Sequence, residues 1–208
     1  MFNQKRITGQ TSETKEHLLL GAGVFAVGYE PGKDTLDSLK TSKKLIGATT
    51  GGGTFTATKN GHYLQIDGVP ENTKGNYILD SWATTLQITL QETTVESLKM
   101  ALTAAKTDTT TTTNYTTIIP KNGMEDEDYI DSVSFIGRLS GSNDPIVITI
   151  FNAINTADLS LNPQDGKEGT IQLTLTGHYT ADNPESPPFK IFYPKKAESV
   201  RTGEKNDA

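Results

Sequence analysis

The chain has 208 residues, a length ordinary for one all-β domain with terminal arms. Hydrophobic residues make up 34% and mean hydropathy is −0.45; the net charge of −6 argues against a general nucleic-acid binder, which gains affinity from clustered Lys and Arg. With no cysteine, disulfides and thiolate metal sites are excluded, and burial and hydrogen bonding must hold the fold.

Residues 1–16, MFNQKRITGQTSETKE, are polar and read as an arm. The longest apolar stretch, LLLGAGVFAVG at 18–28, is too short to span a bilayer. Glu13 and Glu16 stand directly before it, which does not suit the cationic leader of a signal peptide. The stretch is therefore read as a buried strand, and the chain as a cytoplasmically made product. A turn at GYEPG precedes a short helix expected within 34–44.

LIGATTGGGTFTA at 45–57 carries three consecutive glycines, Gly51, Gly52 and Gly53. A phosphate loop would continue into Lys-Ser or Lys-Thr and a helix whose amides hold the anion. Here Thr54-Phe55-Thr56-Ala57-Thr58 follows, a β-favouring alternation, so the glycines lead into a strand. Residues 59–80, with Gly61, Gly68, Pro70 and Gly75, read as an irregular loop with brief β character at 63–67.

In SWATTLQITLQ at 81–91, Trp82, Leu86, Ile88 and Leu90 share one face and Thr85, Gln87, Thr89 and Gln91 the other, the pattern of a half-buried strand. A helix is then expected from 94 to 105, with Thr93 and Glu96 as a capping box and Val95, Leu98, Leu102 and Ala105 as the apolar stripe. It runs out at TDTTTTT, read as a low-complexity loop. YIDSVSFIGRL puts Val133, Phe135 and Leu139 on one face; IVITIFNAI is apolar enough for a central strand; IQLTLTGHY sets Ile171, Leu173, Leu175 and Tyr179 against Gln172, Thr174, Thr176 and His178. After Asn183-Pro184 and Pro187-Pro188 comes a last short strand, FKIFY, and the charged tail 195–208 is expected to be disordered. The expected fold is mainly β: a β-sandwich or partly closed barrel spanning 17–194, with one flanking α-helix.

Catalytic chemistry is hard to find. His17, His62 and His178 lack paired ligand spacing, there is no GxSxG, and Glu125-Asp126-Glu127-Asp128 with Asp131 lacks the glycine and terminal glutamate of a calcium loop. Across 81–91, 130–139, 146–154 and 170–180 the only Lys or Arg is Arg138. Polar faces of Thr, Gln and Ser can carry water or line a passage without gripping a polyanion.

Taken in order, HLLLGAGVF, LIGATTGGGTFTA, QIDGVPENTKGN, DSWATTLQITLQETTVESLKMALTAA, DYIDSVSFIGRLSGSNDPIVITIFNAINT and LTLTGHYTADNPESPPFKIFYP resemble the major tail proteins, or tail tube proteins, of long-tailed bacteriophages. The resemblance covers roughly residues 17–194 and rests on co-occurrence of these stretches. It implies a structural virion protein that self-assembles into hexameric rings, whose inner strands join into one barrel. Stacked rings form a tail tube on a tape-measure protein, bounded by tail terminator and distal tail or baseplate proteins. Genomic DNA passes the lumen without specific binding. Assembly occurs in the host cytoplasm, and no catalytic residue, metal, cofactor or membrane is implied. The loop 59–80 and residues 1–16 become candidate stacking elements, and Gly51, Gly52, Gly53, Phe55, Gly68, Val69 and Lys74 candidate inter-subunit contacts. The alternative is a carbohydrate-binding β-sandwich module of an adhesin, which would need grouped exposed aromatics, whereas Trp82 is expected in the core. A hydrolase using the acids at 125–131 is the third reading.

Overall fold

The computed structural model describes residues 8–111 and 113–195. The first seven residues of the expected arm, and all of the expected disordered tail except Lys195, lie outside the described residues. Along the chain run β1 (Leu19–Val27), α1 (Leu36–Thr41), β2 (Thr49–Tyr63), β3 (Tyr77–Leu90), α2 (Val95–Leu102), β4 (Ala105–Asp108), β5 (Thr117–Pro120), β6 (Ile130–Leu139), β7 (Ile146–Asn155), β8 (Ile171–Gly177) and β9 (Phe189–Phe192). The chain is mainly β, with 44% strand and 11% helix. One antiparallel sheet, ordered β1-β6-β7-β8-β3-β2 with β9 also on β7, curls into half a barrel.

The apolar run of β7 is central, as its composition predicts. One edge pairs with β6 throughout; the other pairs first with β9, Val147↔Phe192 to Ile150↔Phe189, and then with β8 at Ile154↔Thr176 and Asn155↔Leu175. The change of partner falls at Asn152, whose φ of +48° is a left-handed conformation that asparagine tolerates better than most residues. Its Nδ2 donates to the His178 carbonyl and to Thr180 Oγ1, both at 3.0 Å, fixing the point where β8 leaves the row.

Inside the curl, Leu86, Ile88 and Leu90 of β3 face Ile171, Leu173 and Leu175 of β8, with Phe25, Val133 and Ile150 completing the core. This is the burial that the alternating segments predict. Behind the sheet a second cluster, Ala26, Tyr29, Leu39, Ile136 and Val147, lies under α1. Strand β6 is therefore buried on both faces, and Ser134 is tolerated there because its hydroxyl meets Thr149 Oγ1 at 2.8 Å.

Several expectations are corrected. The interval 59–80 is not one loop: β2 continues to Tyr63, β3 starts at Tyr77, and only 64–76 connects them. Asn60, Gly61 and His62 are poor strand formers alone, but β3 supplies the pairing template, and Tyr63 packs edge-on to Tyr77 with ring centroids 5.0 Å apart. Helix α2 stops at Leu102, because Thr103 turns to φ +62°, and Ala105 opens β4. Its capping box is Thr94 with Ser97, one residue beyond the expected Thr93 with Glu96. Ser97 and Ala101 are the buried pair, four residues apart, while Val95, Leu98 and Leu102 are half-buried. Of the expected loop TDTTTTT, Thr107 and Asp108 belong to β4, which pairs with β5 as a hairpin, and Asp108 accepts from the Thr110 amide at 2.7 Å. Strand β1 is buried only from Phe25 onward; Leu18, Leu19 and Leu20 are exposed, and the register slips between Leu20 and Val24. Trp82 is half-buried, edge-on to Phe189 at 5.5 Å with the Lys59 ammonium 5.8 Å from its ring centroid.

Candidate assembly surfaces

The glycine triplet turns a corner. Residues 44–46 run along β1: the Val27 amide donates to the Lys44 carbonyl at 2.8 Å and the Ile46 amide to the Phe25 carbonyl at 3.0 Å. From Gly53 onward the same segment runs along β3, and the register slips between Thr49↔Leu90 and Gly53↔Ile88. Gly51 and Gly52 both take φ +72°, which a side chain would strain. At Gly53 an added Cβ would sit 2.5 Å from Phe25 Cζ and 2.9 Å from the Gln87 carbonyl oxygen. The triplet thus carries the chain from one margin of the curled sheet to the other. The close approach it permits is to Phe25 and Gln87 of the same chain. Phe55 follows on the inner face, half-buried against Phe189 with ring centroids 5.6 Å apart.

On the outer face, β2, β3 and β8 present one continuous polar surface. Thr54 stands opposite Gln87, which stands opposite Thr174; Thr56 faces Thr85, which faces Thr176; Thr89 faces Gln172. Side chains alternate along a strand, so Lys59 falls on the inner face beside Trp82, and these Thr/Gln rows hold no ionisable group; the first ones on β2 and β3 beyond them are His62 and Asp80, paired at 2.9 Å. Strand β2 ends the sheet order, and along 53–63 its outer backbone edge has no partner strand among the described residues.

Beyond the core the β2–β3 hairpin continues into solvent. Residues 61–75 and 77–80 are all exposed, including Tyr63, Leu64, Ile66, Val69, Tyr77, Ile78 and Leu79. Gly68, with φ +76°, Val69 and Lys74 lie in its 64–76 loop. At about 3.3 Å per residue, the stretch from Phe55 to Tyr63 covers roughly 26 Å. The candidate contacts therefore form two groups at opposite ends of one hairpin: Gly51, Gly52, Gly53 and Phe55 at the body, and Gly68, Val69 and Lys74 at the tip. The loop is ordered by its own turns, in which the amides of Val69, Thr73 and Asn76 donate to the carbonyls of Ile66, Pro70 and Thr73. The sequence reading missed the apolar tip because its residues are interrupted by glycine and polar side chains. The signal was the number of Tyr, Leu and Ile between 63 and 79, not their period.

The histidines are dispersed: His17 Nδ1 lies 3.1 Å from the Tyr193 hydroxyl, His62 Nδ1 2.9 Å from Asp80 Oδ2, and His178 Nδ1 3.1 Å from the Asn152 carbonyl. Among the described residues no three His, Asp or Glu are grouped as a metal site. The acidic run forms a solvated turn closed by Lys121, whose Nζ lies 2.6 Å from Glu125 and 2.8 Å from Asp128. The Lys121 ammonium, and then the Glu125 amide, hold the Asp128 carboxyl below its ordinary range. Asn155, which the sequence does not single out, ties three elements: Nδ2 donates to the carbonyls of Ala101 (2.8 Å) and Ala157 (2.7 Å), and Oδ1 accepts from the Thr174 amide (2.8 Å). No protein-family model matches the chain, and no curated protein matches it.

Proposed function

We propose that this chain is a structural self-assembly subunit, the tail tube protein of a long-tailed bacteriophage, forming hexameric rings that stack into a conduit for genome ejection. The observation that carries the reading is the charge-free Thr/Gln surface across β2, β3 and β8, next to the unpaired edge of β2. An open strand edge is an aggregation hazard unless a neighbour completes it. A head-to-tail contact that closes after a fixed rotation completes it with identical copies. Lining the bore with hydroxyls and amides lets a polyanion slide with no fixed cations to hold it. The tape-measure protein, the tail terminator and the distal tail or baseplate proteins are the proposed partners, and the virion tail is the proposed location. The exposed apolar tip of the β2–β3 hairpin supports a role in contacts between copies.

Electron microscopy of the purified protein, at high concentration and with tail chaperones or an initiator complex, tests the reading. Six-fold rings or tubes are expected; monomers under every one of those conditions would refute it.

A further inference from the structure

Where β7 exchanges β9 for β8, a small cavity of ≈ 230 Å³ opens between the two strands. Its polar lining is Asn152, His178, Thr180, Asn183, Ser186 and Lys190. Among the described residues no Asp or Glu lines it; Asp182 and Glu185 belong to the same connection but stand exposed outside the lining. A chain of net charge −6 repels anions on average, so a cation grouped with neutral hydrogen-bonding side chains and no carboxylate is a local exception. We propose that the cavity binds a phosphate-class oxyanion, a function that goes beyond the assembly reading and does not depend on it.

Three observations carry it. The first is the chemistry of the lining. Lys190 is exposed and in no ion pair among the described residues, and its ammonium lies 5.6 Å from the ring centroid of Phe151, which also lines the cavity. The side chains of Asn183 and Ser186 hold no hydrogen bond among the described residues. Thr180 Oγ1 accepts from Asn152 Nδ2 at 3.0 Å, which leaves its own proton to donate. The Asn152 carbonyl can only accept, so His178 Nδ1, 3.1 Å away, donates to it, and Nε2 is left to accept a proton that a phosphate carries. Donors around one ammonium, with one acceptor, are the complement of a hydrogen phosphate. The second observation is position. Thr174, Thr176 and His178 share a face by alternation, and Phe189 packs inward against Phe55 and Trp82, so its neighbour Lys190 points outward. The cavity therefore opens on the polar side of the sheet, where a hydrated ion can arrive. Third, the 178–188 connection is already shaped. The Asn183 amide donates to the Thr180 carbonyl at 3.0 Å, the Ser186 amide donates to the Asn183 carbonyl at 3.2 Å, and Pro184, Pro187 and Pro188 stiffen the rest. Little ordering opposes binding. The volume admits an oxyanion with part of its hydration shell, since one water takes up about 30 Å³.

Titration of the isotope-labelled full chain with sodium phosphate at pH 7, followed by amide NMR against sodium chloride of equal ionic strength, tests the proposal. The expected result is saturable shifts confined to residues 178–186, 190 and their neighbours on β7, with a Kd on the order of 1 mM. Lys190→Gln should weaken binding about tenfold, and Ser186→Asp, which sets a carboxylate in the cavity, should abolish it. Both positions are exposed, so the melting temperature without phosphate should match wild type, and either variant alone decides the matter. Dimethyl phosphate separates the two sources of the same chemistry: affinity equal to inorganic phosphate assigns the site to a phosphodiester, and weaker binding assigns it to free phosphate or a monoester. Shifts that chloride reproduces, shifts that do not saturate or fall elsewhere in the chain, or an affinity unchanged in a folded Lys190→Gln or Ser186→Asp variant would overturn the proposal.

Discussion

Asn155 shows how much of the fold one side chain can carry. It is 8% exposed, and its amide satisfies the last-turn carbonyl of α2, the carbonyl of Ala157 and an amide of β8. Leucine in its place fills similar volume but leaves the Ala101 carbonyl and the Thr174 amide without that partner. Each stranded buried group costs about 1–3 kcal/mol. Asn155→Leu is therefore expected to lower unfolding free energy by about 3 kcal/mol, read as a lower urea midpoint at unchanged slope; an unmoved midpoint contradicts the account. The glycine triplet is the opposite case, a residue-scale feature visible in sequence. A run of glycines before β-branched residues without a following Lys-Ser or Lys-Thr already points to backbone geometry over ligand binding. What it bends around was not visible, because Phe25 and Gln87 come from elsewhere in the chain.

Among the elements, those with strict alternation were readable. Leu86, Ile88, Leu90 and Ile171, Leu173, Leu175 pack as their period of two requires, since one face meets apolar partners whatever the register. Elements set by pairing were not. The outer half of β2 (KNGHY) and strand β4 (AKTD) lack any alternation of apolar residues, and the apolar residues opposite them in β3 and β5 run consecutively, so only the pairing makes them strands. The fully exposed hairpin tip lay within the interval marked for contacts, but its apolar character depends on β2 and β3 lifting those residues clear of the core. The acidic turn before β6 carries a pH prediction. Asp128 is held below its ordinary value, so its pairing with Lys121 stabilises fully above about pH 4 and is lost as pH falls through the lower folded-state value. Lys121 is raised, chiefly by Asp128 and then Glu125, so its share is intact at neutral pH and lost only above its ordinary range near 10.4. Thermal unfolding of wild type and Asp128→Asn should differ at pH 7 and converge toward pH 2; a gap independent of pH would remove this pair as its cause.

At the scale of the molecule, charge and apolar surface are segregated. Ionisable groups are absent from the Thr/Gln rows shared by β2, β3 and β8, the acids gather before β6, and exposed leucines, isoleucines and tyrosines concentrate on the hairpin and beside β1 and β9. Such partition suits a part whose surfaces each meet something different. It was legible only in outline, as a shortage of Lys and Arg in the strands, because which faces combine depends on the curl. That curl passes through β7, which belongs to both halves of the sheet: β6 runs along most of its length, β9 holds its beginning, and β8 and the end of α2 hold its finish. Neither half can therefore melt while the other survives. Urea titrations followed by Trp82 fluorescence, at the β3–β9 contact, and by far-ultraviolet dichroism should give one midpoint; two would mean the halves are separable. A chain built this way resists being trimmed or spliced at its waist, so natural variation in length should be confined to the hairpin tip and the connections between strands, where residues can be added without severing the shared ribbon.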